Sequence, residues 1–262
     1  EFRRVLFRSC AFLMIDYICN PEDYFNHVGI SVSGLNLIDK SPAHYQASLQ
    51  GYKRQSAAFL LGSAVHCAVL EPDEFPNRYV LADYDRRTKE GKAKHVEMLD
   101  RGLEGLTAEM YTQVIGMQKS VLSHPLAKIL FSNGNAEVSC FHNEDGVHTK
   151  ARADYLKDDS IVDLKTTQDA SPREFLKSVM NFKYYRQAAW YLNKFNHYGP
   201  IDSFYFVAVE KEPPYAVAVY QLEDALIERG DVECDRLFRI YKNCLEMEDW
   251  PSYPEEIMTL TL

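Results

Sequence analysis

The sequence predicts an α/β chain in which a central β-sheet is flanked by α-helices. Three observations predict it. Apolar and polar residues alternate with period two around two tight polar turns between residues 135 and 166. Two further strand-like runs, 201–210 and 215–221, follow a helical stretch. Long helical patterns precede and close this region.

Composition limits the function classes. Of the 262 residues, 46% are apolar and 26% charged, the balance of a soluble globular protein. No run approaches the roughly 18 apolar residues of a membrane helix, and nothing else points to secretion. The net charge of -9 argues against a generally basic nucleic-acid binder, though not against a local basic groove beside a metal-filled acidic site. Cys10, Cys19, Cys67, Cys140, Cys234 and Cys244 show no Cys-x-x-Cys spacing, so neither a zinc site nor an iron-sulfur cluster is expected. Scattered thiols fit a reducing, cytoplasmic setting. Residues 1–9, Glu-Phe-Arg-Arg-Val-Leu-Phe-Arg-Ser, read as a non-native scar, the alternative being a short native basic arm. No repeat, linker or composition break divides residues 10–262, which are expected to form one domain.

Taken in order, Ser33 is the expected N-cap of a first helix carrying Leu35 and Ile38 on its apolar face, and Ser41-Pro42 starts another bearing His44 and Tyr45. Gln55 to Leu70 reads as a long apolar helix stopped at Glu71-Pro72. In it Gly62 and His66, four apart, share a face where another backbone is expected to approach closely. In isolation His66 reads as a hydrogen-bonded core histidine. Arg86 to His95 is the densest basic run, equally a phosphate contact or a solvated face. Thr107 caps a helix through about Ser123, with a short helical turn near Ala127 to Phe131.

The sheet region holds the chemistry. Centring a hairpin on Asp158-Asp159 puts Asp154 opposite Asp163 and Arg152 opposite Lys165, with Val162 and Leu164 turned to the core. Taking Asp145-Gly146 as a two-residue turn puts Glu137 opposite Asp154. Facing carboxylates repel, so the pattern calls for a cation between them, Mg2+ or Mn2+ being the hard oxygen-ligand candidates.

Pro172 opens a helix over Arg173 to Met180. The next helical pattern places Lys183, Gln187 and Tyr191 on one polar stripe. Two strands, Ile201 to Glu210 and Tyr215 to Gln221, are expected to pair at a sheet end. A helix from Leu222 to Met247 and an irregular docked tail around Trp250 to Pro254 complete the order.

Gly29-Ile-Ser-Val-Ser-Gly-Leu-Asn-Leu-Ile-Asp-Lys-Ser-Pro-Ala-His-Tyr45, Leu61-Gly-Ser-Ala-Val-His66, Asp154, Asp163-x-Lys165 and Gln187-x-x-x-Tyr191 occur in that order. The constellation resembles the PD-(D/E)xK nuclease superfamily, in the branch shared by RecB-type nuclease domains and phage recombination exonucleases. It is most similar there to the exonuclease VIII type. The resemblance implies the restriction-endonuclease-like fold, with a central mixed β-sheet flanked by α-helices. It implies that His66, Asp154, Asp163 and the Leu164 carbonyl hold one or two Mg2+ ions. Lys165 would orient or deprotonate a water, and Gln187 and Tyr191 would support the site, with Glu137 an additional acid. Ala153 stands where the family's motif has proline. The implied activity is 5′ to 3′ exonucleolytic digestion of linear double-stranded DNA, leaving 3′ overhangs for recombination. The implied partners are DNA ends, a single-strand annealing protein and further copies of the chain in a tetrameric ring, with no membrane.

Three other readings compete. A nuclease of the same fold acting on single strands or on particular DNA structures differs only in its substrate. A catalytically dead DNA-binding or assembly module is disfavoured by the intact His66, Asp154, Asp163 and Lys165. A structural calcium site is disfavoured by Lys165, which an oxygen cage has no use for.

Overall fold

The computed structural model describes residues 21–51 and 56–259, with side chains from Tyr24 onward. The expected scar at 1–9, Cys10, Cys19 and Gln55 lie outside the described residues.

Helix α1 (Pro21–Asn26) leads into α2 (Val32–Lys40) and α3 (Pro42–Leu49). Ser31, not Ser33, caps α2: its side chain accepts from the Gly34 N–H. Two serines competed for the same role, and the earlier one adds two residues, Val32 and Ser33, to the helix and buries Val32 with Leu35 and Ile38. Ser33 Oγ instead lies 2.8 Å from Ser31 Oγ. Ser41 caps α3 with Pro42 in its first turn, and Tyr45 is buried against Tyr241 and Trp250.

Helix α4 (Ala57–Leu70) is capped by Ser56. Then come α5 (Phe75–Arg78), β1 (Tyr79–Leu81), α6 (Lys89–Asp100) and β2 (Glu104–Leu106), with β1 and β2 paired in parallel as a separate two-stranded sheet. Of the basic run, Arg86 and Arg87 lie in the turn before α6 and Lys89 to His95 form its first half, with the Thr88 side chain accepting from the Gly91 N–H. Helices α7 (Ala108–Ser123), capped by Thr107, and α8 (Pro125–Leu130) follow the expected order.

The main sheet comprises β3 (Asn135–Glu144), β4 (Val147–Leu156), β5 (Ser160–Thr167), β6 (Ser203–Glu210) and β7 (Val217–Gln221), in that spatial order. Helices α9 (Pro172–Asn181) and α10 (Tyr184–Phe195) cross from β5 to β6, so that pair is parallel while the other neighbours are antiparallel. Helix α11 (Asp224–Met247) packs against α10. The sheet is therefore mixed, with helices on both faces. One face carries Phe204, Phe206 and Ala208 under α2, α10 and α11, including Trp190 and Leu237. The other carries Val162, Leu164, Val207 and Val209 under α4 and α7, including Val65, Val114 and Met117.

Asp145 and Gly146 both have positive φ, 51° and 85°, as the two-residue hairpin turn demands. The ladder between β4 and β5 is brief: only Tyr155↔Val162 and Leu156↔Ile161 pair. The count that would set Asp154 opposite Asp163 is kept, but the strands part there, and β5 continues alongside β6. Arg152 and Lys165 are accordingly not partners across a ladder; Arg152 lies opposite Ser139 of β3. Glu137 and Asp154 fall at an interruption of the β3–β4 ladder between Ala136↔Tyr155 and Val138↔Ala153, where Glu137 takes φ 55°.

The polar stripe expected on α10 is also revised. Lys183 precedes the helix in the left-handed conformation, and Tyr191 is buried. An amphipathic pattern does not say which face meets water, and here the Gln187–Tyr191 side points into the protein.

Candidate active site

The split between β4 and β5 gathers the titratable groups. Helix α4 supplies His66 from one helical layer, and α10 supplies Gln187 from the other. Among the described residues, His66, Glu137 and Asp154 each offer a ligand atom, all within 4.8 Å of one another. His66 Nδ1 is 3.3 Å from Asp154 Oδ2, and that oxygen also accepts the Leu164 N–H at 2.8 Å. Arg152 Nε donates to Glu137 Oε2 at 2.6 Å, which fixes the carboxylate on the strained stretch of β3.

Asp163 is fully buried and stands beside this trio rather than in it. Its Oδ1 accepts from Gln187 Nε2 at 2.5 Å. Its Oδ2 lies 2.6 Å from Lys165 Nζ as a buried ion pair. Tyr191, one turn further along α10, is buried against the rings of Phe195 and Phe204. Gly62 faces open space: a Cβ there would meet only Thr166 Oγ1 at 4.0 Å, so the close backbone approach expected of it does not occur.

The electrostatics follow from burial. Desolvation pushes Asp163 up to about 6, against the Lys165 ammonium, which favours its charge. Burial likewise raises Asp154 against Lys165, and raises Glu137 with help from the neighbouring Asp154 charge. His66 is lowered by burial despite the charge of Glu137, which favours a neutral imidazole able to act as a ligand. Lys165 is raised because Asp163 and Asp154 outweigh its own desolvation, so its ammonium is held firmly charged.

A divalent cation fits this set. Asp163 is buried, Glu137 and Asp154 are half-buried, and among the described residues the cations paired with this acidic group are Lys165 and Arg152. The carboxylate oxygens are the donor chemistry of Mg2+ or Mn2+ centres, and the neutral imidazole adds a nitrogen donor beside them. The trio opens to a cleft of about 720 Å3 lined also by Phe25, Phe59, Gly62, Arg78 and Arg152.

Sequence reasoning had Arg152 on the right face without assigning it the Glu137 carboxylate. It gave no role to Arg78, which meets Glu71 through two hydrogen bonds of 2.7 and 3.1 Å. The alternation of β4 was a usable signal for Arg152; nothing local marked Arg78.

A family model described as a PDDEXK-like domain of unknown function (DUF3799) matches residues 31–261. A search of curated proteins gives no match. Among solved structures, a "Putative exonuclease" from Eubacterium rectale superposes with a TM-score of 0.62 at 15% identity, covering 90% of this chain and 96% of that one. A phage-related exonuclease from Haemophilus somnus 129PT gives 0.35 at 12% identity, over 87% and 100% of the two chains. An alkaline exonuclease from Laribacter hongkongensis gives 0.33 at 13%, over 71% and 96%. At 15% identity the first is a likeness of fold alone. The family match spans nearly all of the sequence, and on it this chain belongs to the PDDEXK-like family.

Proposed function

We propose that the chain is a Mg2+-dependent exodeoxyribonuclease that hydrolyses phosphodiester bonds of linear double-stranded DNA. The observation that carries this reading is the meeting of His66, Glu137 and Asp154 within 4.8 Å, beside the Asp163–Lys165 pair. His66, Glu137 and Asp154 would hold the metal, Mg2+ or Mn2+, with Asp163 and the Leu164 carbonyl added by the family resemblance. When bound, such an ion lowers the pKa of water and offsets charge growing on a phosphate.

The remaining work belongs to the side chains. Lys165 enters as a charged ammonium, suited to steering a phosphate oxygen and to countering its charge. Gln187 keeps one Asp163 oxygen occupied and leaves the other toward Lys165. The Leu164 N–H and the Arg152 guanidinium fix Asp154 and Glu137 before substrate arrives, which lowers the cost of ordering them later.

The finer parts of the reading rest on the family resemblance: 5′ to 3′ polarity, 3′ overhangs for recombination, a homo-oligomeric ring and an annealing partner. A cytoplasmic setting is supported by the free thiols of Cys67, Cys140, Cys234 and Cys244. Among the described residues no helix is long and apolar enough to cross a membrane.

The test is to incubate end-labelled linear, nicked and closed-circular DNA with the chain in Mg2+ or in EDTA. The reading expects Mg2+-dependent loss of the 5′ label from linear duplex, resistance of closed circles, and loss of activity in Lys165→Ala. Cutting of circles, or undiminished activity in Lys165→Ala, would reject it.

A further inference from the structure

Beside Lys165, at the carboxyl ends of β5 and β6, lies a second cavity of about 280 Å3. These strands form the parallel pair of the main sheet, and the crevice beyond the carboxyl ends of parallel strands is where α/β sheets bind ligands. The volume lies just below the roughly 300–1,000 Å3 of small-ligand sites, the scale of one nucleotide and far too small for a duplex.

The lining has the chemistry of a nucleotide. In a chain of net charge -9, its residues include Lys165 and Lys211 but no carboxylate, with the Thr166 and Ser178 hydroxyls as further donors, while the Thr167 hydroxyl donates to the Asp169 carbonyl. Lys211 is fixed at the strand end by its own N–H, which donates to the Thr167 carbonyl at 3.0 Å.

Three rings run from the core to this cavity. Phe206 stacks on Tyr184 at 5.8 Å and 30°, and Tyr184 stacks on Phe182 at 5.6 Å and 28°. The Lys165 ammonium sits 4.6 Å over the Tyr184 ring. The stack ends on Phe182, which is 63% exposed. Between the last two rings, Lys183 takes the left-handed conformation, φ 60°, which a lysine adopts at a cost. That bend lets Phe182 and Tyr184, two residues apart, face each other.

We propose that this cavity is a subsite for one nucleotide of the DNA strand adjoining the cleaved phosphate. The base extends the stack on Phe182, and Lys211 meets a neighbouring backbone phosphate. The proposal rests on the nuclease reading for its place in the reaction, but its test does not need turnover.

Binding of a fluorescein-labelled single-stranded oligonucleotide to the whole chain is followed by anisotropy in EDTA. Phe182→Ala weakens binding about tenfold, the scale of one base–aromatic stack, and Phe182→Trp restores it. With a single abasic unit walked along the oligonucleotide, one position weakens the wild type equally and leaves Phe182→Ala with no further loss. Lys211→Gln lowers the slope of log K against log salt by about 0.7, one strand phosphate. Phe182→Ala binding within twofold of wild type, or losses that add at every abasic position, overturns the subsite. A chain that binds as described but cuts nothing loses the nuclease reading alone; one that cuts but is indifferent to Phe182 loses the subsite alone.

Discussion

Asp154 Oδ2 stands 3.3 Å from the His66 ring and accepts the Leu164 N–H at 2.8 Å, so one carboxylate oxygen ties α4 to β5 across the split in the sheet. Asp154→Asn keeps that shape and removes the charge. DNA hydrolysis in Mg2+ is expected to fall about a hundredfold or more, while near-ultraviolet circular dichroism stays that of the wild type. Activity within a few-fold of wild type would remove Asp154 from the metal centre.

Gln187 is the donor to the buried Asp163 Oδ1, and Tyr191 is buried one turn further along α10. Gln187→Leu strips that oxygen of its partner, a penalty of about 1–3 kcal/mol for a buried polar group. The expected result is a fall in kcat of roughly tenfold with KM for DNA little changed, because Gln187 positions Asp163 without being assigned a substrate contact. Tyr191→Phe, one step further out, is expected to lose less.

Away from the cleft, Glu233 of α11 accepts from Tyr185, Arg186 and Arg229 at 2.7, 2.6 and 2.8 Å. Burial alone raises its carboxyl, and the hydrogen bonds from Arg229, Tyr185 and Arg186 outweigh that and bring it from 4.5 to about 2. A carboxyl depressed on folding adds stability that is complete above pH 4.5 and is lost as the pH falls toward 2. Urea midpoints measured between pH 6 and pH 2.5 should fall less steeply in Glu233→Gln than in the wild type. Parallel curves would deny the linkage.

Gly230 lets α11 lie close on α10: a Cβ there would come within 2.5 Å of the Tyr185 carbonyl oxygen and 2.8 Å of Ala189 Cβ. The backbone cannot yield cheaply, so Gly230→Ala is expected to cost about 1–3 kcal/mol and lower Tm by several degrees. An unchanged Tm would mean the two helices are less tightly apposed than described.

Turn chemistry and alternation made much of the sheet legible in advance. Asp-Gly at 145–146 marked the first hairpin because that pair accommodates two positive φ values cheaply, and the Asp163–Lys165 spacing put both side chains together at 2.6 Å. The interruption at Glu137 was not legible, since a positive φ in a glutamate follows from tertiary constraints on β3 and leaves no mark in composition. The three-residue strands β1 and β2 were missed for a similar reason: Tyr79–Leu81 and Glu104–Leu106 are too short for period two to register. The candidate residues were readable as types and spacings. That Glu137, rather than Asp163, joins His66 and Asp154 within 4.8 Å depends on where the β4–β5 ladder ends, which pairing counts alone do not tell.

The central claim is that His66, Glu137 and Asp154 form one divalent-metal centre. Calorimetric titration of Mn2+ into the whole chain, wild type against His66→Ala and Glu137→Gln, tests it without substrate. The account predicts saturable binding in the wild type that each substitution weakens at least tenfold, in proteins whose far-ultraviolet circular dichroism is unchanged. Equal Mn2+ affinity in all three proteins would contradict it.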